Sequence, residues 1–280
     1  MKIKQNIYKF RVMTSPCELH IYCDDPHRAR AIAMKILDMA KKLEQKYNFY
    51  NNSSYLSAIN RREVDTLDHQ TKELLSRAKQ FYHKTGGIFD ITMGTLVSSR
   101  REKSIEQIES KLEEMRPFVG VDHFKIKKNR ISFDNPYTLI DLGGFVKEFA
   151  VDQAVKLLRR DKIESALINF GGDIYALGRK PNGKEFTIGI KNPHSPSEYI
   201  THVKLENRAL TTSASYERNH IVEGKIYSHI IHTEELQEEI ASATVISTTA
   251  VESGVYSTSL MINPKLKTSL EKILIESTRL

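Results

Sequence analysis

The chain has 280 residues, of which 40% are hydrophobic, 28% charged and 8% aromatic, enough to bury a sizeable core. No apolar run approaches the roughly 18–20 residues that span a bilayer, and the opening MKIKQNIYKFRVMTSP lacks the continuous apolar stretch of a secretory signal, so a cytoplasmic protein is expected. The net charge of +7, from 42 Lys+Arg against 35 Asp+Glu, suits an anionic ligand. The basic residues are scattered, as at Arg100–Arg101, Lys127–Lys128 and Arg159–Arg160, rather than clustered with aromatics, which argues against nucleic acid as a partner.

In chain order, SPCELHIYCD alternates Cys17, Leu19, Ile21 and Cys23 against Glu18, His20 and Tyr22, the pattern of a half-buried strand. Its ends lie about 20 Å apart, too far for the two cysteines to bridge, so both are read as reduced core thiols. Helices are predicted from about His27–Arg30 to Tyr47, with Ile32, Ile36, Met39, Ala40 and Leu43 inward, and from Gln70 to Lys84, with Leu74, Leu75, Ala78 and Phe81 inward. The polar loop YNFYNNSSYLSAIN between them closes in a short helical segment. A charged helix follows from about Ile105 to Met115, then short strands around Val121 and Ile131. Another helix covers Val146 to Arg159.

Beyond it the segments ALINF, EFTIGIKNP, YITHVKL, RALTTSASYER, KIYSHIIH and ATVIST read as strands. A helix from Thr249 to Met261 and a charged C-terminal helix complete the expectation. Strand runs and hairpins mixed with helices favour an α+β fold in one domain over residues 1–280.

Two glycine pairs, Gly143–Gly144 and Gly171–Gly172, flank the Val146–Arg159 helix, with Asp141 before the first and Asp173 after the second. Glycine lets backbone approach a ligand closely, and a glycine turn opening a helix can aim N–H groups at a phosphate. Two tight turns around a packed helix explain the spacing equally well.

Taken together, the motifs resemble the FAD:protein FMN transferase family, ApbE, from about Met13 to Ile262. Met13-Thr14-Ser15 stands where the family has Met-Gly-Thr. SSYLSAIN resembles SELSRLN, FDITMGTLV resembles FDPTVGPLV, and IDLGGFVKEFAVD resembles IDLGGIAKGYAVD. INFGGDI resembles NLGGDI, IGIKNP resembles GIRDP, TTSASYER resembles ATSGDYER, SHIIHTEEL resembles HHIIDPRTG, and SGVYSTSLMI resembles ADALATALFVL.

The resemblance implies a single ApbE-like, T-fold-related α+β domain with mixed, largely antiparallel sheets and packed helices. It also implies an enzyme that binds FAD and uses Mg²⁺ to transfer FMN to a Thr or Ser hydroxyl of an acceptor protein. By the same carry-over, Met13, Asp90, Thr92, Asp141, Gly143, Gly144, Lys147, Gly171, Gly172, Asp173, Ser213, Tyr216 and His229 are expected at the flavin site. Lys147 and His229 are the expected catalytic residues, the histidine for proton transfer. Val146, through its carbonyl, and Thr258 are the expected metal ligands.

The chain departs from the family pattern where the metal belongs. Gly254 occupies the position of the metal-binding aspartate, four residues before Thr258, although Mg²⁺ prefers carboxylate oxygen. Glu252 points about 200° around the helix from Gly254 and does not replace it. Glu148 replaces a glycine after the motif lysine, adding bulk and negative charge, and His232 replaces the Asp of HIID. Restoring Gly254→Asp is accordingly expected to raise Mg²⁺ affinity. The alternative is a weak or inactive relative that holds a flavin or another nucleotide as an accessory protein.

Overall fold

The computed structural model describes residues 3–97, 104–214, 219–222, 225–228 and 240–277. Strands β1 (Lys4–Val12) and β2 (Ser15–Cys23) form a hairpin whose two-residue turn, Met13 and Thr14, has φ of 50° and 59°. Both values lie in the left-handed region that such turns require and that side chains resist. In β2, Cys17, Leu19, Ile21 and Cys23 alternate inward as expected, and both cysteines are free and buried.

Helix α1 (Pro26–Tyr47) is capped by Asp25, and α2 (Tyr55–Asn60) by Ser54. Helix α3 (His69–Lys84) is capped by Asp68. After the single turn α4 (Gly94–Val97) come α5 (Ile105–Met115) and the hairpin β3 (Phe124–Lys127)–β4 (Arg130–Phe133). Val121 sits in a 3₁₀ turn just before β3 rather than on a strand.

Helix α6 (Val146–Arg160) leads to β5 (Ala166–Phe170), β6 (Asp173–Leu177), β7 (Phe186–Asn192), β8 (Ser195–Leu205) and β9 (Arg208–Ala214). The short pair β10 (Asn219–Val222)–β11 (Lys225–Ser228) precedes β12 (Ile240–Ser247), α7 (Ala250–Ile262) and β13 (Glu271–Glu276). The C-terminal segment is therefore a strand, not the predicted charged helix. In EKILIE, Ile273 and Ile275 pack into one apolar cluster and Leu274 into another, which is strand alternation along β12.

Among the described residues the main sheet has seven strands in the order β1-β2-β5-β6-β9-β12-β13, all paired antiparallel. Helices α1 and α6 bury Ile36, Leu43, Phe149 and Leu158 against one face. The β7–β8 hairpin covers the other face with Phe186, Ile188, Ile190 and Leu205. No helix among the described residues is long and apolar enough to cross a membrane.

Candidate functional site

A cavity of about 350 Å³ opens where the β1–β2 turn, the C-terminal end of α1, the start of α6, β9 and α7 converge. That volume falls in the range of about 300–1,000 Å³ usual for small-molecule sites. The hairpin tip is held there from α1: the Met13 N–H donates to Glu44 Oε1 at 2.7 Å. Glu44 also lines the cavity, a residue that no motif had singled out.

The loop that brings in Asp141 is pinned by Asn60. Its side-chain amide donates to the Ile140 carbonyl at 2.8 Å and accepts from the Ile140 N–H at 2.9 Å. The Asp141 N–H donates to the Ile91 carbonyl at 2.7 Å, which joins this loop to the FDITMG segment. Asp90, in that segment, accepts from the Thr92 N–H and hydroxyl at 2.7 and 2.6 Å. The Thr92 hydroxyl in turn accepts from the Gly120 N–H at 2.7 Å. Asp90 and Asp141 line the cavity, whereas Thr92 is fully buried behind it and braces the loop. Burial raises the carboxyl pKa of both Asp90 and Asp141, against hydrogen bonds that lower it.

The glycine pairs serve conformation more than anion binding. The Gly143 N–H donates to Asp141 Oδ1 at 2.8 Å, Gly171 to the Pro16 carbonyl at 2.9 Å and Gly172 to Asn169 Oδ1 at 2.9 Å. Three of the four amides are thus committed within the chain. Gly171 has φ of +60°, and a Cβ there would lie 2.6 Å from the Ser15 Cβ. Only glycine lets β5 turn into β6 so close to the β1–β2 hairpin. Gly143 and Gly144 line the cavity; Gly171 and Gly172, expected at the flavin site, are not among its lining residues.

At the start of α6, the Lys147 ammonium lies 3.1 Å from Asp173 Oδ2, with side chains 18% and 3% exposed. Glu148 follows, 6% exposed, and its Oε2 has no hydrogen-bond partner among the described residues. Burial, then the negative charge of Asp173, pushes the Glu148 carboxyl up to about 8, while Lys147 pulls the other way. Across the cavity Ser213 Oγ lies 2.9 Å from Ser257 Oγ and 3.2 Å from Thr258 Oγ1. Val146, Lys147, Glu148, Asp173, Ser213 and Thr258 all line the cavity.

Helices α6 and α7 meet in a fixed register. Asp152 accepts from the Ala250 and Val251 N–H groups at 2.7 and 3.3 Å, capping α7 from α6. One turn back on α6, Glu148 faces Gly254, one turn on along α7. A Cβ built on Gly254 would lie 2.5 Å from Glu148 Cγ and 3.0 Å from its Oε1. Glu148 thus fills the space that a side chain at 254 would need, so Gly254→Asp alone meets a clash rather than a vacancy. Glu252 is turned away, its carboxylate accepting from the Ser247 hydroxyl.

The structure brings Met13, Asp90, Asp141, Gly143, Gly144, Lys147, Asp173 and Ser213 to one cavity, together with Val146 and Thr258. Tyr216, His229 and His232 lie outside the described residues. No group of three or more His, Cys, Asp or Glu side chains suited to a metal occurs among the described residues. The hydroxyls of Thr258 and Ser213 and the carboxylates of Glu148 and Asp173 are nonetheless hard oxygen donors of the kind Mg²⁺ takes.

Comparison with known proteins gives the family and the fold. The chain is 27% identical over 268 residues to the FAD:protein FMN transferase of Klebsiella pneumoniae (strain 342), a match covering 90% of this chain and 81% of the relative. It is 26% identical over 242 residues to the FAD:protein FMN transferase of Haemophilus influenzae, covering 79% of this chain and 69% of that one. Its fold superposes on the crystal structure of the ApbE protein from Thermotoga maritima with a TM-score of 0.85 at 24% identity, over 98% of this chain and 94% of that one. The sequence pattern of the ApbE family matches residues 13–273, and this chain belongs to the ApbE family.

Proposed function

We propose that this chain binds FAD in the described cavity and transfers its FMN half to a Thr or Ser hydroxyl of an acceptor protein. The observation that carries this reading is that Lys147, Asp173, Glu148 and Thr258 line one cavity together with Phe49, Phe89 and Met93, in a chain of the ApbE family. Charged and hydroxyl groups suit a pyrophosphate, and aromatic and apolar groups suit flat rings.

In the transfer, the acceptor hydroxyl oxygen forms a new bond to the FMN phosphorus. The bond from that phosphorus to the bridging oxygen breaks, and AMP leaves with the electron pair. The result is a phosphoester on the acceptor. Such chemistry depends on positioning and on neutralising phosphate charge. The Lys147 ammonium, kept in place by Asp173, supplies one positive charge. Met13 and Thr14 at the hairpin tip and Asp141 on the facing loop shape the cavity around the ligand. By resemblance His229 takes the hydroxyl proton and Tyr216 lines the flavin pocket. Mg²⁺, held by Thr258 and the Val146 carbonyl, would neutralise further charge on the phosphates.

The polar lining itself supports a need for added positive charge. Lys147 is already paired with Asp173, and burial holds the Glu148 carboxyl up to about 8, so the site offers a pyrophosphate little net positive charge; a divalent cation would add it and favour the ionised form of Glu148. One departure favours the second reading, a flavin-holding protein without turnover: Gly254 stands at the expected aspartate position.

Fluorescence titration with FAD, with and without Mg²⁺, separates the two readings. Binding that tightens with Mg²⁺, followed by AMP release on adding a hydroxyl-bearing acceptor, is the expected result. FAD binding indifferent to Mg²⁺ supports the flavin-holding reading, and absence of binding in both conditions refutes both.

A further inference from the structure

We propose that the carboxylate ligand for the divalent cation of this site has moved between helices: Glu148 of α6 supplies it, through the space that Gly254 of α7 leaves open. The inference deepens the transferase reading and rests on it for the cation's role. Three observations carry it independently of that role.

The first is shape. Residue 254 has no side chain, and the volume its Cβ would fill is taken by Glu148, with Cγ 2.5 Å and Oε1 3.0 Å from the built Cβ position. The Glu148 side chain thus reaches the α7 surface where an aspartate at 254 would begin, one helical turn before Thr258. The second is an unmet polar atom. Glu148 is 6% exposed and lines the cavity, yet its Oε2 has no hydrogen-bond partner among the described residues. A buried carboxyl oxygen without a partner is costly, and a bound divalent cation would satisfy it and favour its ionised form.

The third is composition. The groups lining the same cavity include the hydroxyls of Ser213 and Thr258, 3.2 Å apart, and the carboxyl groups of Glu148 and Asp173. These are hard oxygen donors, the donor set of Mg²⁺ or Mn²⁺ rather than of zinc.

The register of α6 against α7 makes the exchange mechanically sound. Asp152 caps the first turn of α7 and fixes the two helices against each other, so Glu148 is delivered to Gly254 by the same packing. Two departures from the family pattern that each look like loss, Glu148 where the resemblance implies glycine and Gly254 where it implies aspartate, then form one compensated pair.

The test is an Mn²⁺ titration of the full chain read by electron paramagnetic resonance, without and with FAD, with flavin fluorescence recorded in the same samples. Glu148→Gln keeps the side-chain volume, and it is expected to weaken Mn²⁺ binding at least about tenfold, since loss of an outer-shell partner alone commonly costs about 10–100-fold. Glu148→Gly combined with Gly254→Asp is expected to bring Mn²⁺ affinity back to within about threefold of the parent chain, under the tenfold cost of a lost ligand. Should Glu148→Gln fail to fold, as judged by its melting curve, Glu148→Gly with and without Gly254→Asp makes the same comparison.

Unchanged Mn²⁺ affinity in the Glu148 variant overturns the inference, and so does a folded double variant that regains none. Failure of the parent chain to bind FAD would refute the transferase reading instead, while the Mn²⁺ titration of the flavin-free protein would still decide the role of Glu148.

Discussion

The effect of Gly254→Ala should depend on its background. Alanine in a helix interior is favoured over glycine by about 0.8–1.0 kcal/mol, and residue 254 lies inside α7 (Ala250–Ile262). The new methyl, however, would stand 2.5 Å from Glu148 Cγ, where ordinary contact begins at 3.4 Å. Glu148 Cγ must therefore retreat by about 0.9 Å. It is one bond from a Cβ that α6 holds in place, so it retreats only by leaving its rotamer. Overpacking of this kind costs about 1–3 kcal/mol, leaving Gly254→Ala neutral to destabilising by about 2 kcal/mol once the propensity gain is subtracted. In a Glu148→Ala background the obstruction is gone and the same change should stabilise by about 0.8–1.0 kcal/mol. The coupling read from the double-mutant cycle is then the overpacking cost itself, about 1–3 kcal/mol. Urea denaturation followed by circular dichroism, with metal chelated and flavin absent, measures all four proteins. Stabilisation by Gly254→Ala in both backgrounds would refute the packing of Glu148 against Gly254.

Three further outcomes follow from the same site. Lys147→Met should destabilise the fold by about 3 kcal/mol, the lower end of the cost of breaking a buried pair because Lys147 is 18% exposed, and should weaken FAD binding at least about tenfold, by fluorescence titration. Gly171→Ala should cost about 2–4 kcal/mol in chemical denaturation, from the left-handed φ of +60° and the Cβ 2.6 Å from Ser15; Gly144→Ala, with no atom within 4 Å of its built Cβ, should change stability little. The Glu148 carboxyl is held up to about 8, above its ordinary 4.5, so its share of stability is complete at acid pH and is lost as pH rises through about 8. Metal-free Glu148→Gln should therefore gain on the parent chain as pH rises from about 5 to 8, and parallel stability curves across that range would contradict it.

Much of this fold is legible in the sequence because its helices carry their own signals. Asp25 and Asp68 cap α1 and α3, and Ile32, Ile36 and Leu43 recur at helical spacing, so those elements fall where expected. The strand Glu271–Glu276 was not legible as one. Its apolar residues divide between two clusters only because β12 offers an edge to pair with, and the charged residues around them imitate a surface helix. The β1–β2 turn is likewise hidden, since Met13 and Thr14 take left-handed conformations without the glycine or asparagine that usually announces them. Tertiary pairing overrides local preference in both cases.

The site shows a sharper limit. Motif order alone places Lys147, Asp141, Asp173 and Thr258 together, because each is read against a pattern at its own position. Glu148 and Gly254 each register there as damage. Their relation belongs to neither motif: it exists only where α6 crosses α7, fixed by the Asp152 cap on Ala250 and Val251. Read position by position against the family pattern, an aspartate is missing at 254, whereas in space the Glu148 carboxyl group stands where a side chain at 254 would begin. Charge at a fixed point in space is what a cation or a pyrophosphate responds to, so the spatial reading is the one that bears on function. The same reasoning reverses the simplest engineering expectation: Gly254→Asp alone would add a second carboxylate and a steric clash beside Glu148, and only together with Glu148→Gly does it restore a single acid on α7.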